Sequence, residues 1–212
     1  MDTATRTPEA WIEDLQRQLA DNPECAVTQY NLGTAYVAAG RFEEAATSFL
    51  AAVSIAPDMA EAYVQLGGLA MRTGDLDGCF DWNQKARQLR PDFAVPWGNL
   101  GFVHLQRAEV DLAEAALRKA ISLDGQFVQA LATLASTLFM KGDLDEAEAT
   151  CRKVLALQPG FGPAWNNLAL VALERGEHKA ALEYLEKAAA TGFAPHPDLV
   201  AEVKAVLAGD AS

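Results

Sequence analysis

The feature that most constrains the fold of this 212-residue chain is a residue pair that returns at a constant interval. The pair is a leucine followed by a small residue, found at Leu32-Gly33, Leu66-Gly67, Leu100-Gly101, Leu134-Ala135 and Leu168-Ala169. A second set of small residues keeps the same step, at Ala45, Cys79, Ala113, Ala147 and Ala181. Five units in phase, without insertion or deletion, predict a fold built by stacking one supersecondary unit.

The spacing within each unit predicts a pair of helices. Tyr63, Leu66, Gly67 and Ala70 are separated as i, i+3, i+4 and i+7, which places them on one stripe of a helix. The small residue after the leucine lets a second helix pack closely against the first. With alanine abundant and aromatics at only 8% of the chain, close-packed helices are favoured over a β sandwich.

Residues at the predicted helix ends agree with this interpretation. A left-handed cap after the first helix favours glycine, which occurs at Gly40, Gly74, Gly142 and Gly176, with Ala108 taking the place once. Asp75 and Asp143 stand where the second helix needs an N-cap, and Asp143 with Glu146 resembles a capping box. Prolines follow the helix pairs at Pro57, Pro91 and Pro159.

These residues resemble the tetratricopeptide repeat, whose pattern is W-x2-L-G-x2-Y, then A-x3-F, then P. The first unit carries the pattern at Leu32, Gly33, Tyr36, Ala45, Phe49 and Pro57. The resemblance extends from residue 26 to about residue 195. It implies an all-α fold, a right-handed superhelical solenoid of antiparallel helix pairs whose first helices line a concave face.

The repeat phase divides the chain into an N-terminal helix, five repeats and a C-terminal cap. The N-terminal helix occupies 1–25 and packs on the first repeat, with Thr7 as its N-cap and Pro8 at its first position. The repeats are 26–59, 60–93, 94–127, 128–161 and 162–195. Residues 196–212 form a capping helix and tail, with Leu199, Val203 and Val206 on its packing stripe.

Charge and cysteine content limit the classes of function. A net charge of −12 and a pI near 4.6 argue against a nucleic-acid partner and favour a neutral, apolar or basic protein segment. The three cysteines form no CxxC pair, so neither a disulfide framework nor a zinc site is predicted. No stretch has the length of a signal peptide core or a membrane span. We expect a cytoplasmic protein. The alternative, in which an export signal was removed before residue 1, stays open.

No catalytic constellation is predicted. Cys79 and Cys151 occupy core positions of the repeat, and His104 occupies the position of Tyr36. No phosphate-binding glycine motif occurs, so we expect no enzyme, no cofactor and no metal.

The candidate binding residues lie just off the packing stripe of the first helices. One row is rich in amides, which carry both a donor and an acceptor and suit the backbone of an extended peptide. A second row is apolar. This arrangement is similar to the asparagine ladder in the superhelix of O-GlcNAc transferase. The residues expected on the concave face are Tyr30, Asn31, Val37, Gln65, Met71, Arg72, Asn99, Phe102, Leu105, Thr133, Phe139, Met140, Asn166 and Asn167.

Two functions remain open at this point. The first is a non-catalytic adaptor, scaffold or peptide-binding chaperone that holds a neutral, apolar or basic segment in its groove. The alternative is a self-assembling scaffold whose groove is filled by its own or a neighbour's terminal helix, which would make a homo-oligomer. A further explanation of the amides needs no ligand: they contact a neighbouring helix.

Overall fold

The computed structural model describes residues 7–209, and within them the chain forms twelve α-helices and no strand. The helices are α1 (Pro8–Asp21), α2 (Ala26–Ala38), α3 (Phe42–Ile55), α4 (Ala60–Arg72), α5 (Leu76–Leu89), α6 (Ala94–Gln106), α7 (Val110–Leu123), α8 (Val128–Lys141), α9 (Leu144–Leu157), α10 (Gly162–Glu174), α11 (His178–Ala190) and α12 (Pro197–Gly209). The predicted all-α helical repeat is confirmed.

The chain divides into two compact units, 1–99 and 100–212. In the first unit each helix from α1 to α4 packs on the helix that follows it. In the second unit α7 to α11 do the same, and α8 also packs directly on α10, the first helix of the next repeat. Each unit therefore buries its apolar stripes between consecutive helices.

Glycine after the leucine allows the two helices of a repeat to approach closely. A Cβ built on Gly33 would lie 2.6 Å from the Phe49 ring, and one on Gly101 would lie 2.5 Å from Leu117. These distances are below van der Waals contact, so only a hydrogen fits there. The same helix pairs bury Leu32, Phe49, Leu100 and Leu117 at their centres.

The predicted first-helix caps are confirmed. Gly40, Gly74, Gly142 and Gly176 have φ between 73° and 82°, and Ala108 takes the same left-handed conformation at 58°. A residue with a Cβ is strained there, which explains why the other four repeats use glycine.

The two aspartates at second-helix starts differ. The Asp75 carboxylate accepts a hydrogen bond from the Gly78 backbone N–H at 2.8 Å, as predicted. The predicted cap at Asp143 is wrong, because its side chain accepts no capping hydrogen bond. Glu146, its expected capping-box partner, instead accepts a hydrogen bond from Arg118 at 2.8 Å. The Glu146 carboxylate therefore pairs with the preceding second helix and not with the start of its own helix.

The terminal helices cover the core as expected, with one exception. Thr7 caps α1, where Ile12 and Leu15 are buried and Trp11 packs against the same core. On α12 Val203 is buried and Leu199 packs beside it. The prediction for Val206 is wrong: its side chain is 36% exposed, because only one face of this last helix has a neighbour to cover it.

Two adjacent glycines of α4 provide a test of the close approach. A Cβ on Gly67 would lie 2.3 Å from Asn83 Nδ2, whereas one on Gly68 would meet nothing within 4 Å. We expect Gly67→Ala to lower the free energy of unfolding by about 1–3 kcal/mol. Gly68→Ala should raise it by about 0.5–1 kcal/mol, since alanine is the better helix former. Urea denaturation followed by circular dichroism measures both, and equal effects would contradict the packing described here.

Candidate functional site

Two of the three cysteines lie in the helix-packing core. Cys79 and Cys151 are fully buried, which confirms their interpretation as core residues. Burial raises the pKa of the Cys151 thiol to about 12, so the nucleophilic thiolate is disfavoured. Cys25 is half-buried at the N-cap of α2, where the Thr28 hydroxyl donates to its Sγ at 3.1 Å and lowers its pKa.

The histidine on the packing stripe is held by a neighbouring carboxylate. His104 Nδ1 lies 2.6 Å from Glu109 Oε2, with the imidazole side chain 17% exposed. The two residues join the end of α6 to the start of α7. Within residues 7–209 no group of three or more histidine, cysteine or acidic side chains is arranged to hold a metal ion.

The amide row begins with two side chains that face no internal partner. Asn31 on α2 and Gln65 on α4 are half-buried. Neither side chain makes a hydrogen bond to another described residue, so their donors and acceptors remain available. Asn31 and Gln65 occupy the same position in successive repeats.

Asn99, the next member of the row, has a structural role. Its Nδ2 donates to Asn83 Oδ1 at 3.0 Å. Asn83 is fully buried on α5, where its own Nδ2 donates to the Cys79 carbonyl at 2.8 Å. Asn99 therefore satisfies a buried acceptor on another helix.

The buried Asn83 was missed by sequence reasoning, although the repeat phase contains the signal for it. The equivalent positions of the other repeats are apolar and fully or almost fully buried: Phe49, Leu117, Cys151 and Leu185. An amide in that series needs a hydrogen-bond partner, because burying an unpaired amide is costly. Asn99 supplies one.

In the second unit the amide row is largely engaged within the protein. The Thr133 hydroxyl donates to the carbonyl of Gln129 on its own helix at 2.9 Å. Asn167 Nδ2 on α10 donates to Ser136 Oγ on α8 at 2.8 Å and lies 3.5 Å from the Ala132 carbonyl. In this unit the geometry matches the alternative explanation of the amides, which is that they contact a neighbouring first helix. Asn166 is half-buried and makes no side-chain hydrogen bond to a described residue.

The apolar candidates of the first unit are partly covered by the core. The Tyr30 ring packs on Phe49 with centroids 5.6 Å apart, and Val37 packs against the same core. Met71 is half-buried near the end of α4. These side chains leave part of their surface open to a ligand while the core holds them in place.

One apolar candidate of the second unit, Met140, is more exposed than the others. Phe102, Leu105 and Phe139 are half-buried, whereas Met140 is 54% exposed. Methionine is flexible and suits a surface that adapts to a ligand.

Arg72, the cation among the candidate residues, lies against a second helix. Its guanidinium is 3.7 Å from the centre of the Phe42 ring on α3. A guanidinium over an aromatic face is a favourable cation–π arrangement. The contact places Arg72 at the interface of α3 and α4.

Two family models, both described as tetratricopeptide repeat, match residues 12–92 and, in two overlapping segments, residues 105–172 and 138–208. The chain belongs to the tetratricopeptide repeat family. Members of this family are protein–protein interaction modules. No protein of curated function matches the sequence significantly.

Solved structures share the repeat fold of this tetratricopeptide protein. YrrB, described as a tetratricopeptide protein with an unusual peptide-binding site, is 23% identical, with 91% of this chain and 98% of that chain covered and a TM-score of 0.69. MamA is 24% identical over 76% of this chain and 94% of its own, with a TM-score of 0.63. The type IV pilus biogenesis factor PilW is 20% identical over 86% and 91%, with a TM-score of 0.71.

None of the helices within residues 7–209 is long and apolar enough to span a membrane.

The Asn83–Asn99 contact predicts that two members of one row differ in their effect on stability. Asn99→Ala should lower the free energy of unfolding by about 1–3 kcal/mol, because it leaves the buried Asn83 oxygen without a donor. Gln65→Ala, which removes no internal bond, should change it by less than about 0.5 kcal/mol. Urea denaturation measures both.

A second variant separates the hydrogen bond from other effects of Asn99. Combined with Asn83→Leu, Asn99→Ala should cost much less, because leucine fills the equivalent positions 117 and 185. An equal cost in both backgrounds would show that the hydrogen bond is not responsible.

Proposed function

We propose that this tetratricopeptide protein is a non-catalytic adaptor, scaffold or peptide-binding chaperone. It holds an extended, neutral, apolar or basic peptide segment on the face formed by the first helices of its repeats. The observation that carries the proposal is the pair Asn31 and Gln65, which stand at equivalent positions of two repeats with amides that no described residue satisfies.

The chemistry of these two side chains suits a peptide backbone. An extended peptide presents alternating N–H and C=O groups, and each amide offers both a donor and an acceptor. Such contacts hold the main chain whatever its side chains are. Tyr30, Val37 and Met71 lie on the same helices and supply apolar surface for the side chains of the segment.

Taken by itself, the second unit has fewer available amides and more apolar surface on its first helices. Thr133 and Asn167 are engaged internally, whereas Asn166 remains available. Phe102, Leu105, Phe139 and Met140 provide the apolar part, as expected for binding sites in which burial of apolar surface supplies most of the affinity.

The charge of the chain sets the preference for the partner. A net charge of −12 attracts basic segments and repels acidic ones over distances comparable with the Debye length. Tetratricopeptide domains that grip a terminal carboxylate use lysine and arginine on the first-helix face. Arg72 is the single cation among the candidate residues, and it is stacked on Phe42. An acidic C-terminal peptide is therefore a poor ligand.

The comparison with YrrB supports peptide binding on this scaffold. YrrB is described as having a peptide-binding site, and it covers 91% of this chain. An identity of 23% shows only that the two folds are alike. The proposal for this protein therefore rests on its own residues.

The test is a double variant, Asn31→Ala with Gln65→Ala, used in crosslinked capture of partners from native cells. We expect the variant to remain folded and to recover about tenfold less of the proteins that the unaltered chain captures, because both backbone contacts are lost. Quantitative mass spectrometry of the crosslinked proteins measures the recovery, and thermal denaturation checks the fold.

The matched control is Gln18→Ala with Gln88→Ala, which removes two amides that are exposed on α1 and α5. Capture by the control should equal that of the unaltered chain. If the Asn31 and Gln65 variant is folded and captures the same proteins in the same amounts, the proposed face is not the binding site.

A further inference from the structure

A pocket of about 400 Å³ lies in the first unit between α3, the end of α4 and the middle of α5. Its walls are mostly apolar: Phe42, Ala46, Leu50, Leu66, Leu69, Ala70 and Trp82, with Glu43, Arg72 and Thr73 beside them. Leu50 is 46% exposed, so its side chain is open to a ligand in the pocket. The pocket shares Arg72 with the first-helix face proposed above, but the amides Asn31 and Gln65 do not line it.

At two equivalent junctions the second unit has a cation of its own that pairs with the preceding second helix. Lys141, at the end of α8, donates to Asp111 at 2.9 Å and to Glu114 at 2.6 Å, both on α7. These bonds raise the pKa of Lys141 and lower that of Glu114, so both groups stay charged at neutral pH.

The next repeat has the same arrangement with arginine. Arg175, directly after α10, contacts Asp145 at 2.5 Å and Glu148 at 2.6 Å on α9. A basic side chain at this position therefore crosses from a first helix to the preceding second helix in two successive repeats.

The junction of the first two repeats lacks most of this arrangement. Two repeats before Lys141 the equivalent position is Thr73, so the cation is absent, and Ala46 replaces Glu114. Leu50 replaces Arg118, which pairs with Glu114 and Glu146 in the second unit. Position 43, which is equivalent to Asp111, is still acidic in this repeat, as Glu43. Glu43 forms no ion pair with any described residue.

We propose that this pocket binds a peptide segment of another protein in which one lysine or arginine stands next to an aliphatic or aromatic residue. The apolar side chain packs on Leu50, Leu69 and Trp82. The cation pairs with Glu43, as Lys141 does with Asp111 within this chain. The partner thus supplies from outside the basic group that the later repeats supply themselves.

Charge selects this segment over an acidic one. Glu43 and the net charge of −12 both favour a basic neighbour for the apolar residue. The Arg72 guanidinium already covers the Phe42 ring at 3.7 Å, which disfavours a run of several cations. A single basic residue beside an apolar one satisfies both conditions.

Fluorescence anisotropy with labelled eight-residue peptides tests the proposal on the full chain. The peptides share a glycine–serine background and differ at two central positions, which are Leu-Lys, Leu-Gln, Leu-Glu or Ala-Lys. We expect Leu-Lys to bind tightest, with Ala-Lys and Leu-Glu each weaker by about tenfold or more, because one loses the apolar contact and the other meets Glu43. Tighter binding of Leu-Glu than of Leu-Lys would overturn the proposal.

Two variants locate the binding in the pocket. Glu43→Gln should weaken Leu-Lys about three- to tenfold and leave Leu-Gln unchanged, since the lost contact is electrostatic. Thr73→Lys with Ala46→Glu rebuilds the Lys141 arrangement and should abolish binding by filling the pocket from within. Because this arrangement already exists in the second unit, the variant should fold, which thermal denaturation checks.

The Gln18→Ala with Gln88→Ala variant serves as the control, because those side chains line neither the pocket nor the first-helix face. It should bind the Leu-Lys peptide as the unaltered chain does. Binding that is lost in the Asn31→Ala with Gln65→Ala variant but kept in the Thr73→Lys with Ala46→Glu variant would place the peptide on the first-helix face instead of in the pocket. Unchanged binding by the Thr73→Lys and Ala46→Glu variant would exclude the pocket as the site.

Discussion

The close approach of the two helices in each repeat is the contact on which the rest of the structure depends. It requires a residue with little or no side chain directly after the leucine of the first helix. Where that residue is Gly33, the ring of Phe49 occupies the space that a Cβ would take. The requirement recurs once in every repeat because each repeat forms the same contact, and the apolar stripes are buried only when the next repeat packs on top.

Within this common frame the repeats differ at positions that bear on function. The second repeat has Asn83 where the others have an apolar core residue, and Asn99 satisfies it. The later repeats join a first helix to the preceding second helix through Lys141 and Arg175. The junction of the first two repeats has Thr73 at that position and an apolar pocket beside it. The exposed carboxylate of Glu43 at that junction forms no ion pair with a described residue, and the proposal that a partner's cation binds there rests on this difference between the repeats.

In the amide row, residues of the same type at equivalent repeat positions have different roles. Asn31, Asn99 and Asn167 stand at equivalent positions. Asn99 supports a buried side chain, Asn167 joins two first helices, and Asn31 contacts no described polar group. Binding through the row is therefore proposed for the members that the fold does not use, which in the first unit are Asn31 and Gln65.

The sequence by itself determined the all-α repeat, its phase, the glycine caps and the covering terminal helices, because these follow from spacing and backbone conformation within a single repeat. It did not determine which amides are free, since that depends on side chains such as Asn83 and Ser136 on other helices. The Glu146 half of the predicted capping box failed for the same reason, because Arg118 on another helix holds the Glu146 carboxylate. The pocket beside Thr73 was likewise visible only in the tertiary structure, where α3, α4 and α5 meet. Periodicity determines which residues face a neighbour, whereas the neighbour's own side chains decide what each of those residues does.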